Sequence, residues 1–375
     1  GARTPAARRI ARMSFSIHDR ASEAGEGDAA EAPYGRLTPD RMLDALESVG
    51  LRSDGRFLAL NSYENRVYQV FLEDGGAMVA KFYRPARWSD AQILEEHAFA
   101  RELAEREIPV VAPLELTAGP AGGGRPDGAE AQARGTLLGA TLATFDGYRF
   151  AVYERHGGRA PELEDPRTLE RIGRFLGRIH AVGAIEPFAH RPALDAASFG
   201  DEPRAWLLAH DFVPDDLRPA WTGIVDQALD AVHSAFDRAG DVRRIRLHGD
   251  CHAGNLLWTD EGPHFVDFDD ARSGPAVQDL WMLLSGGREA MSRQLSDVLA
   301  GYEAFADFDR RELQLIEPLR TLRLIHYSAW IARRWHDPAF PAAFPWFGTQ
   351  RYWQDRVLEL REQVAAMQEP ALEGV

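Results

Sequence analysis

The stretch Leu247-His-Gly-Asp-Cys-His-Ala-Gly-Asn-Leu-Leu-Trp258, with His264-Phe-Val-Asp-Phe-Asp-Asp270 just beyond it, decides how the rest of this chain is read. It packs His248, Asp250, His252, Asn255, Asp267, Asp269 and Asp270 into 23 residues, beside short apolar runs (Arg244-Ile-Arg-Leu and His264-Phe-Val) that read as strands. A hairpin of those strands would gather Asp250, Asn255 and Asp267 at one end. A carboxylate at a strand-to-loop junction can orient a hydroxyl or accept its proton. An Asn oxygen and a second carboxylate are hard oxygen ligands, which magnesium takes together with waters and phosphates. One base and two such ligands are the minimum set for moving a phosphoryl group to an alcohol. Two other readings fit the same residues. One is a metallohydrolase that binds zinc or a similar ion through His248, Asp250 and His252; the other is an ordinary polar turn.

Outward from that stretch the chain changes character. Residues 1–35 carry no apolar period and are expected to be a disordered arm. A helix should begin at Thr38-Pro39-Asp40, with Thr38 as cap, Met42, Leu43, Leu46 and Val49 on one face, and Gly50 as its stop. Arg66–Leu72 alternates, Glu73-Asp-Gly-Gly supplies a turn, and the chain returns through Ala77–Tyr83. Ile93–Arg106 reads as a helix stopped by Pro109 and Pro113. A Gly/Ala/Pro-rich surface insertion spans about 118–140 and merges into a strand at Thr136-Leu-Leu; Tyr148–Tyr153 is another strand. After about residue 156 helices dominate, among them one marked by Leu169, Ile172, Leu176 and Ile179, then Leu313–Trp335 and Tyr352–Met367 around an irregular packed loop at Asp337–Phe347. The expected division is an arm at 1–35, an N-terminal lobe at 36–153 and a C-terminal lobe at 154–370. The class is α+β, an antiparallel-sheet lobe followed by a mainly helical one.

Composition narrows the function. The 375 residues hold 43 Lys and Arg against 58 Asp and Glu, a net charge of −15, which argues against broad binding to nucleic acid or anionic membranes. No apolar run of the length that spans a bilayer is present. Cys251 is the sole cysteine, so no intrachain disulfide and no four-cysteine zinc site can form. The basic start lacks an apolar region behind it, so no secretory signal is read, and a cytoplasmic location is expected.

His-Gly-Asp, four residues, Asn, then a strand ending in Asp resembles the catalytic and magnesium loops of protein-kinase-like phosphotransferases. Gly249 inside the His-x-Asp, and Asp267-Phe-Asp269 where protein kinases have Asp-Phe-Gly, look like the aminoglycoside and choline kinase branch. Val79-Ala-Lys81-Phe resembles the strand lysine that holds the nucleotide α- and β-phosphates. Glu96, on the next helix, would orient Lys81, with Glu95 as the alternative. Leu60-Asn-Ser-Tyr-Glu-Asn-Arg-Val-Tyr68 stands where protein kinases place a glycine-rich turn, and it contains no glycine. Ile93-Leu-Glu-Glu-His97, Gly274-Pro-Ala-Val-Gln-Asp-Leu-Trp281 and Asp337-Pro-Ala-Phe-Pro341 add to this. Over about residues 36–370 the chain is similar to the bacterial stress response kinases, Ser/Thr protein kinases related to the aminoglycoside phosphotransferases.

That resemblance implies a bilobal protein-kinase-like fold that uses ATP and Mg2+. It makes Asp250 the proton acceptor, Asp267 catalytic and a metal ligand with Asn255, and Ser62, Lys81 and Glu96 nucleotide-binding. The acceptors would be Ser/Thr hydroxyls of protein substrates, and the enzyme a cytoplasmic monomer with no nucleic-acid or membrane partner. A small-molecule kinase of the aminoglycoside, choline or homoserine kind, or a non-catalytic nucleotide-binding regulator, is the alternative. Asp279 is expected to hydrogen-bond the catalytic-loop backbone or simply to sit at a helix N-terminus. His248 and His180 should pack and hydrogen-bond, and Cys251 should be a buried, inert thiol. The run of Arg320, Arg323, Trp330, Arg333, Arg334 and Trp335 should be core plus a solvated face, with some of the arginines alternatively lining an acceptor cleft.

Overall fold

The computed structural model describes residues 32–60, 62–118 and 135–373. Most of the expected N-terminal arm, most of the 118–140 insertion, and Asn61 therefore lie outside the described residues. The chain separates into two compact units that meet in sequence at Gly157 and Gly158.

In the first unit, α1 (Pro39–Glu47) starts as its sequence dictates, with Thr38 accepting the Arg41 N–H and proline in the first turn. Gly50 ends it at φ 83°. The strands β1 (Ser53–Leu60), β2 (Arg66–Leu72), β3 (Ala77–Phe82), β4 (Thr136–Leu137), β5 (Ala143–Phe145) and β6 (Tyr148–Glu154) form one antiparallel sheet in the order β1-β2-β3-β6-β5-β4. Helix α2 (Asp90–Glu105) begins before the expected Ile93, because Ser89 and Gln92 form a reciprocal capping box. The sheet is covered on both faces. Ala80, Phe82 and Phe150 join Met42 and Leu46 in one cluster; Tyr83 and Ala151 join Ile93 of α2 in another. Tyr34 belongs to the first cluster, and its hydroxyl reaches the Glu64 and Phe82 carbonyl oxygens at 3.0 and 3.2 Å. The packed part of the unit thus begins at least two residues before residue 36.

The second unit is mainly helical. It contains α3 (Pro166–Gly183), α4 (Glu202–Ala209), α5 (Arg218–Ala239), α6 (Gln278–Trp281), α7 (Arg288–Tyr302), α8 (Ile316–Ala332), α9 (Ala339–Ala343) and α10 (Gln350–Ala366). Between α5 and α6 lie four short strands: β7 (Ile245–Leu247), β8 (Leu256–Thr259), β9 (Gly262–Phe265) and β10 (Arg272–Gly274). Pairing here differs from the expected single hairpin. Leu256–Thr259 turns tightly at Asp260-Glu261 and pairs with β9, while β7 pairs with β10. Two further details depart from the sequence reading. A 3-10 turn at Arg310–Leu315 precedes α8, and one helical turn, α9, lies in the segment expected to be irregular, where Phe340 and Phe344 pack on Trp330.

Helices α3 and α7 cross at glycine. A Cβ at Gly173 would collide with the Val298 carbonyl, at Gly177 with that of Tyr302, and at Gly301 with that of Glu170. We expect Gly173→Ala to cost about 1–3 kcal/mol by overpacking. Gly223→Ala on α5, where nothing lies within 4 Å, should be neutral or stabilising by up to about 1 kcal/mol. Urea midpoints of the two variants against the parent check this.

Candidate active site

In the second unit the site is built on a buried carboxylate. Asp279, on α6, is fully buried and accepts the backbone N–H of His248 on Oδ2 and of Gly249 on Oδ1, each at 2.8 Å. Oδ2 also meets His180 Nε2 at 3.0 Å, and His180 Nδ1 meets the Tyr302 hydroxyl at 2.9 Å. The carboxylate can only accept, so Nε2 carries the hydrogen, and in the neutral ring Nδ1 accepts from the Tyr302 hydroxyl. Of the two roles open to Asp279 in the sequence, the structure shows the bond to the loop backbone.

That clamp sets the loop. Gly249 lies at φ 86°, and a Cβ there would collide with the Asp270 carbonyl oxygen. Gln278 Nε2 donates to the Gly249 carbonyl at 3.0 Å. His248 Nε2 lies 2.9 Å from the Val266 carbonyl, its Nδ1 faces the Asp250 N–H, and its ring packs on Phe268. His252 Nδ1 accepts the Gly254 N–H at 2.9 Å. His248 is thus bonded to backbone at both ring nitrogens and His252 at one, and among the described residues no group of three or more His, Cys, Asp or Glu is placed to share a metal ion, which gives the metallohydrolase reading no support.

Asp250 follows the clamp directly. Arg323, on α8, places Nη1 2.6 Å from Asp250 Oδ1, and His252 Nε2 lies 3.4 Å from Oδ2. Burial works against the charged form, but Arg323 and then His252 outweigh it and hold the carboxyl well below the usual carboxylate range. Asn255 donates its side-chain Nδ2 to the Asp250 carbonyl at 2.9 Å. Its nitrogen is thereby committed and its oxygen left as the end that can meet a cation. The Val266 N–H bonds the Asn255 carbonyl at 3.1 Å, so Asp267, one residue on, leaves the same place. Asp267 is exposed at φ 62°, a left-handed position that Asp tolerates better than most residues. An amide oxygen and an exposed carboxylate joined by one backbone bond suit magnesium, which completes its shell with waters and phosphates.

Arg191 was not anticipated. It is buried, donates Nε to the Ala271 carbonyl at 2.8 Å and Nη2 to the Asp269 carbonyl, and so fixes the segment after Asp267. No local pattern around His190-Arg-Pro announces this. Cys251 is fully buried; burial, with Asp279 and Asp250 nearby, pushes its thiol well up, which disfavours the reactive thiolate.

In the first unit, alternation along β3 sends Ala80 and Phe82 to the α1 side and Tyr83 to the α2 side, which puts Lys81 on the α2 side. Lys81 is 6% exposed and Glu96 only 2%, whereas Glu95 is partly exposed. Next to Glu96, His97 bonds the Tyr83 hydroxyl (2.7 Å) and Thr141 (2.8 Å), and Tyr83 bonds Tyr153 (2.9 Å), which ties α2 to the sheet. The β1–β2 loop is held from its base: Arg84 N–H donates to Asn65 Oδ1, and the Asn65 N–H donates to Ser62 Oγ at 3.3 Å. Ser62 thus accepts within its loop and keeps its own hydrogen to donate.

The phosphotransferase enzyme family model matches residues 56–316, and the chain belongs to that family. Over 337 residues it is 44% identical to stress response kinase A of Escherichia coli (strain K12), covering 90% of this chain and 95% of that protein. It is 43% identical, with the same coverage, to the Salmonella typhimurium (strain LT2) protein named serine/threonine protein kinase RdoA. Among solved structures, an amicoumacin kinase in complex with AMP-PNP, Ca2+ and Ami superposes with a TM-score of 0.62 at 18% identity, covering 87% of this chain and 92% of that one. A microcompartment-associated aminopropanol kinase gives 0.60 at 17% identity, covering 87% and 95%. The chain is thus a phosphotransferase of the kinase-like fold and a homologue of stress response kinase A.

One buried acid near the loop will titrate near neutrality. Glu312 accepts the Val277 N–H at 2.8 Å, one residue before α6 begins, and burial pushes it up to about 7. Its folded-state value exceeds its ordinary 4.5, so the stability it contributes is fully present below pH 4.5 and lost as pH rises through about 7. Glu312→Gln should abolish that loss, at most about 3 kcal/mol. Melting temperatures of both proteins from pH 4 to pH 8 test this. Gly249→Ala should leave secondary structure in place and lower turnover by about 10²-fold or more, because the loop cannot keep its close approach to residue 270.

Proposed function

We propose that this protein transfers the γ-phosphoryl group of ATP, with Mg2+, to Ser and Thr hydroxyls of proteins. The observation that carries phosphoryl transfer is the Asp250 loop, where a carboxylate held ionised adjoins an Asn oxygen and the exposed Asp267. Support for a protein acceptor comes from the 43% identical relative whose name says Ser/Thr protein kinase and whose length this chain covers almost fully. The small-molecule names of the structural neighbours come with under 20% identity, and that likeness bears on fold alone.

In this reading Asp250 accepts a hydrogen bond from the acceptor hydroxyl and takes its proton late. In a loose transition state the carboxylate chiefly orients the nucleophile, so a weakly basic group suffices. Asn255 and Asp267 would hold magnesium, which when bound would neutralise charge on the phosphates. Lys81 meets the α- and β-phosphates and pairs with Glu96. Two buried opposite charges on the same side of the sheet support that pairing, since a buried charge persists only when paired. Ser62 gives its hydroxyl hydrogen to a phosphate oxygen. The reaction belongs in the cytoplasm, where ATP is at hand; among the described residues no helix is long and apolar enough to cross a membrane.

The test is transfer from γ-labelled ATP with Mg2+ to a generic protein acceptor, and separately to kanamycin, choline and homoserine. The expected result is label on protein Ser or Thr, reduced about 10²–10⁴-fold in an Asp250→Ala protein that still folds. Lys81→Ala should raise KM for ATP as well as lower kcat. Label confined to a small molecule would move the acceptor class, and undiminished transfer by Asp250→Ala would refute the role given to that residue.

A further inference from the structure

Asp250 is held by a residue that the proposed chemistry does not use. Arg323 lies 73 positions away in sequence, on α8, yet its Nη1 sits 2.6 Å from Asp250 Oδ1. The pair is partly buried, with the two side chains 34% and 21% exposed. The other carboxylate oxygen faces His252 Nε2 at 3.4 Å. His252 accepts the Gly254 N–H on Nδ1, so in its neutral form Nε2 carries the hydrogen and points it at Asp250. The Asp250 main chain is pinned separately, by Asn255 at its carbonyl and by the Asp279 clamp on the two residues before it. The backbone therefore needs no help from Arg323. What Arg323 adds is control of the side-chain torsions.

Arg323 also borders open space. With His252, Ala253, Met282, Leu284 and Arg320 it lines a cavity of about 240 Å³ beside the Asp250 loop. The Arg323 side chain therefore borders this cavity as well as meeting the carboxylate. A charge-assisted bond of this length is short and directional, and it fixes one oxygen while leaving further lone pairs of the carboxylate to accept a hydroxyl.

We propose that Arg323 is a positioning residue for phosphoryl transfer, which locks the Asp250 carboxylate in the rotamer that receives the acceptor hydroxyl. This rests on Asp250 being the acceptor-binding carboxylate proposed above. An unlocked carboxylate can still ionise but points the hydroxyl wrongly, and an error of about 1 Å in such placement lowers the rate about 10²-fold. Arg323→Ala should therefore lose kcat on that scale with KM for ATP unchanged. Arg323→Lys keeps the charge without the planar fork and should recover only part of the loss. Because the vacated site adjoins the cavity, free guanidinium at concentrations far below those that unfold proteins should restore transfer by Arg323→Ala. It should not restore transfer by Asp250→Ala.

The experiment measures kcat, KM for ATP, melting temperature and guanidinium rescue for Arg323→Ala, Arg323→Lys and Asp250→Ala. Loss of kcat with rescue supports the assignment. Parental kcat, or a loss matched by a fall in melting temperature and unaffected by guanidinium, would overturn it and leave Arg323 a tie between α8 and the loop. A rise in kcat would overturn it too, by making the ion pair a brake. If Asp250→Ala itself keeps full activity, the failure is that of the proposed function.

Discussion

Three hydrogen-bond donors converge on one buried carboxylate, and the geometry of the second unit follows from it. Asp279 takes the N–H groups of His248 and Gly249 and the Nε2 of His180, with no exposure to solvent. A buried carboxylate is tolerable only with this degree of satisfaction. Once made, the bonds leave little freedom. Gly249 must take a positive φ against the Asp270 backbone, His248 must reach across to Val266, and Asp250 must emerge at a defined point. Because the Asn255 and Val266 backbones are bonded to each other, the same clamp reaches Asp267.

The first unit solves a different problem, the burial of a lysine. Strand alternation turns Lys81 to the side on which α2 packs, and a chain of polar contacts from Tyr153 through Tyr83 and His97 to Thr141 fixes that helix. A helix so tied holds Glu96 in one place, which a salt bridge between two flexible surface chains would not. The β1–β2 loop reaches a similar end without glycine. The Ser62 hydroxyl accepts the Asn65 N–H and Asn65 Oδ1 accepts the Arg84 N–H, side-chain bonds that brace the loop against the end of β3.

The parts legible in the sequence are those whose causes are local. The Thr38 cap, the β2–β3 hairpin and the alternation along β3 depend on neighbouring residues, and the structure has them where the sequence places them. The His-Gly-Asp spacing pointed to the family because the clamp needs those residue types in that order. Which arginine meets Asp250 is not legible, since Arg323 arrives from 73 residues away and the local pattern singles out Arg320, Arg323, Arg333 and Arg334 alike. Strand pairing around the loop was misread for the same reason. Which short apolar run pairs with which depends on a two-residue turn at Asp260-Glu261 and on the remote β10. Arg191 belongs with these, as its bonds go to carbonyls that carry no sequence signature.

The dependence of the Asp250 loop on its buried carboxylate is tested by turnover of Asp279→Asn in the phosphoryl-transfer assay, beside its thermal melt. An amide keeps the shape of the carboxylate but accepts through one oxygen only, so the His248 or the Gly249 N–H must lose its partner and face an NH2 group. The expected result is a protein that still folds, with a lower melting temperature and a kcat about 10²-fold or more below the parent. A folded Asp279→Asn protein with parental kcat would contradict it, because the loop that presents Asp250 would then hold its shape without the clamp.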